Sequence, residues 1–306
     1  MHPVNYIPDI SAIIVTYNSG EDLHECLSSL TAALRNFRAE IIVIDNYSTD
    51  NTIEVIHSFQ KQYSFISFIK NEENFGYTWA INQGLSQVRG RYILTLNPDT
   101  VIPESAFDTL ILEFDVDPKI GIVSPQFLNS DHTIQRSCRR FPRHRDVLFH
   151  MFGLNSIAAH SRLFNGWKMG DFDHASREFV DQPQGAFLFC RSSAYRDVGL
   201  YDMRFPMFFS DVDWCRRFRD AGWQILFTPA VKIIHHQGRS IHKRRIPMIW
   251  SSHKSFYNYF QKYYSGGLWT FINWFTGLAL FIMALLRTMY ILTIRSIRKI
   301  TRRDKS

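Results

Sequence analysis

Polar and apolar positions alternate in blocks along the first 125 residues. SAIIVTY (11–17), EIIVID (40–45), FISFIK (65–70) and RYILTL (91–96) are near-continuous apolar runs of strand length. Parallel strands covered on both faces have this form. Between them, Glu21 to Phe37, Thr52 to Tyr63, Thr78 to Val88 and Glu104 to Asp115 read as amphipathic helices. Ser48, Thr49 or Asp50 starts the second of these, and Pro103 introduces the fourth. Strand and helix in turn imply right-handed crossovers, hence an α/β fold with a mostly parallel sheet and helices on both faces. After GIVSP (121–125) the pattern loosens, and residues 129–180 read as aromatic, basic and irregular, as an acceptor-facing or mobile region would be. GAFLFCR (185–191) restores a strand, Val212 to Ala221 reads as a helix, and ILFTPAVKIIHH (225–236) ends the compact body.

The C-terminal quarter has a different composition. LWTFINWFTGLALFIMALL (268–286) is nineteen residues without a charge, close to the length that crosses a bilayer. Arg287 interrupts it, TMYILTI resumes it to residue 294, and Arg295, Arg298, Lys299, Arg302, Arg303 and Lys305 follow. Residues 221–306 hold fourteen Lys/Arg against the single Asp304, so a net +13 sits beside a body of −6. Cations flanking an apolar helix suit anionic lipid headgroups, and Trp269, Trp274 and Tyr290 suit the interface. Both flanks are basic, which fits a helix lying in the interface or re-entering it better than a single span. A buried C-terminal helix with a solvated basic end is the plainer alternative. Basic charge alone would also suit nucleic acid, but the uncharged run argues for lipid. MHPVNYIPD is short and polar, unlike a secretory leader, and the four cysteines show no paired spacing, so reduced thiols on the cytosolic side are expected.

Length (306 residues) and 45% hydrophobic composition allow one large α/β domain and an appendage. Neither G-x-G-x-x-G nor G-x-x-x-x-G-K-[ST] occurs, which removes the main support for dinucleotide-fingerprint and P-loop readings. Acidic groups instead end strands: Asp45 after EIIVI, Asp99 in Asn97-Pro98-Asp99, and a third cluster at Asp211 and Asp213. A carboxylate at a strand exit is where an open α/β sheet places ligand chemistry. Asp99 could carry Mg²⁺ or Mn²⁺ with a phosphate-bearing ligand. The same tripeptide equally fits a turn with Pro at its second position.

IIVTYNS (13–19), IDNYSTDNT (44–52), NEENFGYTWAINQG (71–84), LNPDT (96–100), QGAFLFCR (184–191), FFSDVDWCRR (208–217) and HHQGRS (235–240) come in an order and spacing that resemble an inverting family-two glycosyltransferase. The likeness is to the GT-A fold and to the rhamnosyltransferase-like branch, over about residues 9–260. It implies a catalytic domain at 1–240 and a basic, aromatic C-terminal helical region at 241–306, with a membrane-associating segment at 268–294. Thr16, Asn18 and Asp45 would then line the nucleotide pocket, and Asn74, Gly76 and Asn82 would bound its floor. Asn97 and Asp99 match the family's Asp-x-Asp, with Asn in place of the first acid, so Asp99 is the expected metal ligand. His235, with Gly238 and Ser240, fits a His-x-x-Gly-x-Ser pattern and would complete the metal shell; His236 is the competing register. Asp211 would be the base and Asp213 would sit beside the site, although two acids also suit the first turn of any helix. Ser210 stands where relatives commonly have Glu. Arg136, Arg139, Arg140 and Arg143 would hold an acceptor diphosphate or form a solvated basic face.

The activity so implied is transfer of L-rhamnose from dTDP-L-rhamnose to a polyprenyl-diphosphate-linked saccharide of O-antigen or cell wall, at the cytoplasmic face of the inner membrane. Other hexosyl or galactofuranosyl donors share the framework. A nucleotide-sugar-binding scaffold without catalysis is the non-enzyme alternative.

Overall fold

The computed structural model describes residues 7–237 and 245–303, the side chains of 245 and 295–303 excepted. Gly238 and Ser240 of the histidine motif lie outside the described residues. Residue contacts divide the chain into two compact units. One comprises the described parts of Met1–Phe141, Phe172–Pro206 and Ser210–Ser240; the other those of Pro142–Asp171, Met207–Phe209 and Ile241–Ser306.

In the first unit the predicted alternation is present as β1 (Ile10–Thr16), α1 (Gly20–Ala33), β2 (Ala39–Asp45), α2 (Thr52–Gln62), β3 (Ile66–Lys70), α3 (Tyr77–Leu85), β4 (Tyr92–Leu96), β5 (Thr100–Val101), α4 (Ala106–Val116) and β6 (Ile120–Leu128). Every residue of β1 and β2 is buried, because helices cover both faces. Ile10, Ala12, Ile14, Ile41 and Val43 join Leu23, Leu27, Leu30 and Ile56 in one core. On the opposite face Ile13 and Ile44 meet α3 at Gly84, where an added Cβ would lie 2.4 Å from Ile13.

Residues 129–180, expected to be irregular, hold short pieces: β7 (Ile134–Gln135), β8 (Cys138–Arg139), α5 (His144–Met151), α6 (Leu154–Ile157) and β9 (Glu178–Phe179). Then follow β10 (Gln182–Pro183), β11 (Phe187–Arg191), α7 (Ser192–Val198), α8 (Ser210–Asp220) and β12 (Gln224–His235). The main sheet runs β3-β2-β1-β4-β11-β6-β12-β5. β1 to β4 are mutually parallel, β12 is parallel to β6, and β11 runs antiparallel between β4 and β6. β11, together with the short antiparallel strands β5, β7 and β9, makes the sheet mixed, with the starting end of β11 beside the finishing end of β4. Phe187 pairs with Leu96 there.

The second unit contains α5, α6, α9 (Arg245–Tyr263) and α10 (Leu268–Arg303). His144 lies between Phe260 and Trp269 at centroid distances of 4.1 and 5.3 Å, and its Nε2 meets Asn273 Oδ1 at 2.7 Å. Leu268–Ile294 is long and apolar enough to cross a membrane by length and composition, and most of it is not buried.

Candidate active site

The topology brings five chain segments to one edge of the sheet. Thr16 and Asp45 end β1 and β2 as register partners, Asn97 to Asp99 follow β4, Gln184 to Ala186 precede β11, and His235 ends β12 opposite Thr100 of β5. This is the carboxyl edge of the parallel strands, where ligand sites of open α/β sheets form.

The β1–β2 side presents acceptors and hydroxyls without partners. Asp45 is fully buried; its Oδ2 accepts the Ser48 N–H at 3.0 Å, while Oδ1 has no hydrogen bond. Thr16 Oγ1, 1% exposed as a residue, is also unpartnered. A buried polar atom left unpaired costs about 1–3 kcal/mol, so the pair has the character of a ligand contact. Asn18, at φ +50°, ties the two loops together: its N–H donates to Ser48 Oγ at 2.8 Å, and its Oδ1 accepts the Thr49 N–H at 2.7 Å.

Beneath this lies an amide network that the sequence reading did not single out. Asn46 Nδ2 donates to Asn74 Oδ1 at 2.9 Å, Asn71 Nδ2 donates to Asn46 Oδ1 at 3.1 Å, and Asn71 and Gln83 exchange two bonds of 2.9 Å. Asn74 Oδ1 also accepts the Gly76 N–H at 3.0 Å, and Gly76 adopts φ +86°, ψ 164°, a conformation open only to glycine. Asn74 and Gly76 therefore shape the loop. Asn82 exchanges side-chain bonds of 2.9 Å with the Tyr201 backbone, fastening α3 to the chain after α7.

Asp99 faces His235, with Oδ1 3.4 Å from Nε2. Gln135 Nε2 donates to Asn129 Oδ1 and to the His235 carbonyl, so its Oε1 is the acceptor for His235 Nδ1–H at 2.7 Å. In a neutral imidazole this places the Nε2 lone pair against a carboxylate oxygen. Two facing acceptors call for a cation or a second imidazole proton between them, and oxygen plus imidazole nitrogen is a donor set that suits Mn²⁺ or Mg²⁺ with ligand phosphates completing the shell. No group of three such metal-ligating side chains occurs among the described residues. His236 takes a different place, between Ser130 Oγ at 2.8 Å and Glu25 Oε2 at 3.2 Å. Asn97 contributes backbone: its N–H donates to Ala186 O at 2.9 Å and its carbonyl accepts Thr100 Oγ1 at 2.8 Å, fixing the turn that aims Asp99.

Asp211 opens α8. Its Oδ2 accepts the Gly185 N–H at 2.9 Å and Gln182 Nε2 at 3.1 Å, and its Oδ1 accepts the Val212 N–H at 2.9 Å. A Cβ on Gly185 would lie 2.8 Å from Asp211 Cβ, so glycine is required for that approach. Burial raises the carboxyl above its ordinary value, against the opposing pull of the Gly185 and Val212 N–H groups and of Arg139. Burial in turn holds the Arg139 guanidinium below its usual value, while Asp211 favours its charged form. β8 pairs with β10, Arg139 opposite Gln182, and this carries the Arg136–Arg140 stretch to the Asp211 side. Arg139 Nη1 donates to the carbonyls of Arg136 and Cys138, and Arg136 itself is exposed. The stretch is held from below by His174, fully buried, whose Nε2 accepts the Cys138 N–H at 3.0 Å; burial pushes that imidazole down to about 4, so it is neutral. Arg140 is half-buried, and Arg143 belongs to the second unit, just before α5.

Asp213, expected next to the acceptor, is fully buried in an ion pair with Arg217 Nε at 2.9 Å. Arg217 also donates to the carbonyls of Val198 and Leu200, at 2.6 and 2.7 Å. Two residues, about 200° of helix rotation, account for the difference: Val212, Trp214, Cys215 and Phe218 face the core, and Asp213 faces inward with them while Asp211 stays partly open. Gln135, Gln182, Gly185 and the Asn46–Asn71–Gln83 network were absent from the expected set. Gly185, Asn71 and Gln83 stand inside motifs the sequence displays, but an amide's partner is invisible until strands are paired.

Residues 11–192 match the family described as Glycosyl transferase family 2. An N-acetylglucosaminyl-diphospho-decaprenol L-rhamnosyltransferase of Mycobacterium tuberculosis is 25% identical over 276 residues, covering 84% of this chain and 85% of that protein. A poly-beta-1,6-N-acetyl-D-glucosamine synthase of Staphylococcus epidermidis is 36% identical over 118 residues, only 39% of this chain and 28% of that one. A mannosyltransferase from Pyrobaculum calidifontis, solved with GDP-Man and Mn²⁺, superposes with TM-score 0.56 at 16% identity, over 95% of this chain and 81% of that one. The sheet order and the gathering of ligand-ready groups at its carboxyl edge are those of the GT-A fold, and the chain belongs to glycosyl transferase family 2.

Proposed function

We propose that the protein transfers L-rhamnose from dTDP-L-rhamnose, with inversion, to a saccharide carried on polyprenyl diphosphate, in O-antigen or cell-wall synthesis at the cytoplasmic face of the plasma membrane. The observation that carries it is Asp211: a partly open carboxylate, raised by burial, aimed by the Gly185 N–H at the edge that also holds the unpaired Asp45 and Thr16 atoms. The rhamnosyl and lipid-linked parts are supported by the Mycobacterium tuberculosis relative, similar over 84% of the chain, and the membrane part by the apolar segment Leu268–Ile294.

Asp211 acts as general base. The acceptor hydroxyl gives its proton to the carboxylate while its oxygen forms the new bond at the anomeric carbon, and the bond to the nucleoside diphosphate breaks on the opposite face. A carboxyl raised by burial is a stronger base once ionised, which suits that transfer. Thr16 and Asp45 receive the base or ribose of the donor, and Asn18 holds the two loops that border it. Asp99 and His235 would hold a divalent cation, Mg²⁺ or Mn²⁺, which when bound supplies positive charge against the departing diphosphate. Arg136, Arg139 and Arg140 supply charge for the acceptor diphosphate. The domain reading follows: residues 1–240 carry the chemistry and 241–306 the membrane contact.

A donor screen tests this. The purified full chain, with Mn²⁺ or Mg²⁺ and a synthetic polyprenyl-diphosphate GlcNAc, is offered a panel of nucleotide sugars and the products are weighed by mass spectrometry. Gain of one deoxyhexose with dTDP-L-rhamnose alone is the expected result. Gain of another sugar would reassign the donor, and nucleotide binding without transfer would return the scaffold reading.

A further inference from the structure

Within the second unit, α9 and α10 form an antiparallel hairpin with an open groove of about 370 Å³ between them. Trp250, Tyr257, Trp274, Leu278 and Phe281 line it, and Trp250 meets Phe281 edge to face at 5.5 Å. Trp274, Leu278 and Phe281 are 62%, 46% and 54% exposed, an unusual state for three large apolar side chains in one groove. Lys254 is the one charged side chain lining the groove among the described residues. The His253 imidazole there is held below its ordinary value by burial and by Arg287, against the opposing pull of the Ile249 carbonyl, which its ring meets at 2.7 Å. Neither helix carries a single Asp or Glu, so no carboxylate on either wall answers Lys254. The groove continues onto the exposed apolar face of α10, where Phe271, Phe275, Ile282 and Leu286 are also uncovered.

An apolar slot with one unanswered ammonium matches an amphiphile with a hydrocarbon chain and an anionic head. We infer that the α9–α10 groove is a site for one anionic phospholipid of the bilayer, its acyl chain against Trp250, Trp274 and Phe281 and its phosphate at Lys254. This rests on the membrane reading of the C-terminal region and not on the choice of sugar donor. Continuity with the exposed face of α10 favours a bilayer lipid over a soluble anion, because the chain enters from the surface that would contact the membrane. The site would convert a general attraction to acidic membranes into a held lipid that fixes how the hairpin lies.

Tryptophan quenching tests it on the full chain with vesicles of phosphatidylcholine, alone or mixed with phosphatidylglycerol, the lipid under test carrying mid-chain bromine. Brominated phosphatidylglycerol should quench more strongly than brominated phosphatidylcholine. Trp250→Phe should remove a large share of the quenched emission, and Lys254→Gln should weaken the phosphatidylglycerol response on the order of fivefold, the equivalent of ~1 kcal/mol for one surface cation. Vesicle flotation, run in parallel, separates the two failures. Flotation with quenching indifferent to headgroup, to Lys254→Gln and to Trp250→Phe would overturn the groove and leave membrane association standing; no flotation would remove both. Displacement of the brominated lipid by polyprenyl phosphate at far lower concentration than by phosphatidylglycerol would overturn the assignment of the occupant.

Discussion

The two compact units differ in what they offer a partner. In the first, helices close both faces of the sheet over the core, and at the strand ends two buried polar atoms, Asp45 Oδ1 and Thr16 Oγ1, have no hydrogen-bond partner. In the second, α10 leaves apolar surface open: Phe271, Trp274, Phe275 and Phe281 each expose more than half of their surface. An unpaired polar atom costs about as much as an uncovered aromatic ring, and each marks the kind of partner that would relieve it. The strand ends of the first unit suit a hydrogen-bonding small molecule; the open face of α10 suits hydrocarbon.

Four substitutions would break or sharpen that contrast. Asp211→Asn should have the largest effect, lowering kcat on the order of 10³-fold with donor affinity unchanged, as loss of a general base does; turnover near the wild-type rate would remove Asp211 from that role. Phe271→Gln with Phe275→Gln should reduce partition into vesicles on the order of 100-fold, since each already half-open ring gives up ~1.5 kcal/mol of burial in lipid, while the thermal midpoint in detergent stays put. A fall in midpoint with binding intact would make this face part of the protein core. Asp213→Ala should lower the thermal midpoint by roughly 5–10 °C, the result of ~3 kcal/mol lost when a buried pair is broken. If it instead raised KM for acceptor with stability unchanged, Asp213 would belong to the acceptor site after all.

The smallest effect is in pH. Because burial raises the Asp211 carboxyl, the base form is lost at a higher pH than for an ordinary carboxylate, and the acid limb of kcat should lie above ~3.9. Arg139 favours the charged form, so Arg139→Gln should move that limb further up. A limb that did not move would separate Arg139 from the base.

The neighbouring acids of α8 show what one dimension hides. Asp211 and Asp213 look alike in the sequence, two carboxylates in a first helical turn. In the fold one accepts the Gly185 N–H at the sheet edge and the other is sealed against Arg217. Similarly, Asn74 and Asn82 come from one motif, yet Asn74 braces the loop near Asp45 and Asn82 closes on the Tyr201 backbone. Gln135 carries no sequence signal at all, because its role is to set the tautomer of a histidine 100 residues away.

Sequence by itself determined the α/β alternation, the strand-end acids and the apolar, acid-free C-terminal region, because these depend on local periodicity and composition. It did not determine the reversal of β11, which brings Gly185 beside β4, nor the pairing of β8 with β10, which brings Arg139 toward Asp211. Those depend on which strands exchange hydrogen bonds across tens of residues. Only the tertiary structure decides that, since the backbone groups of every strand are chemically the same.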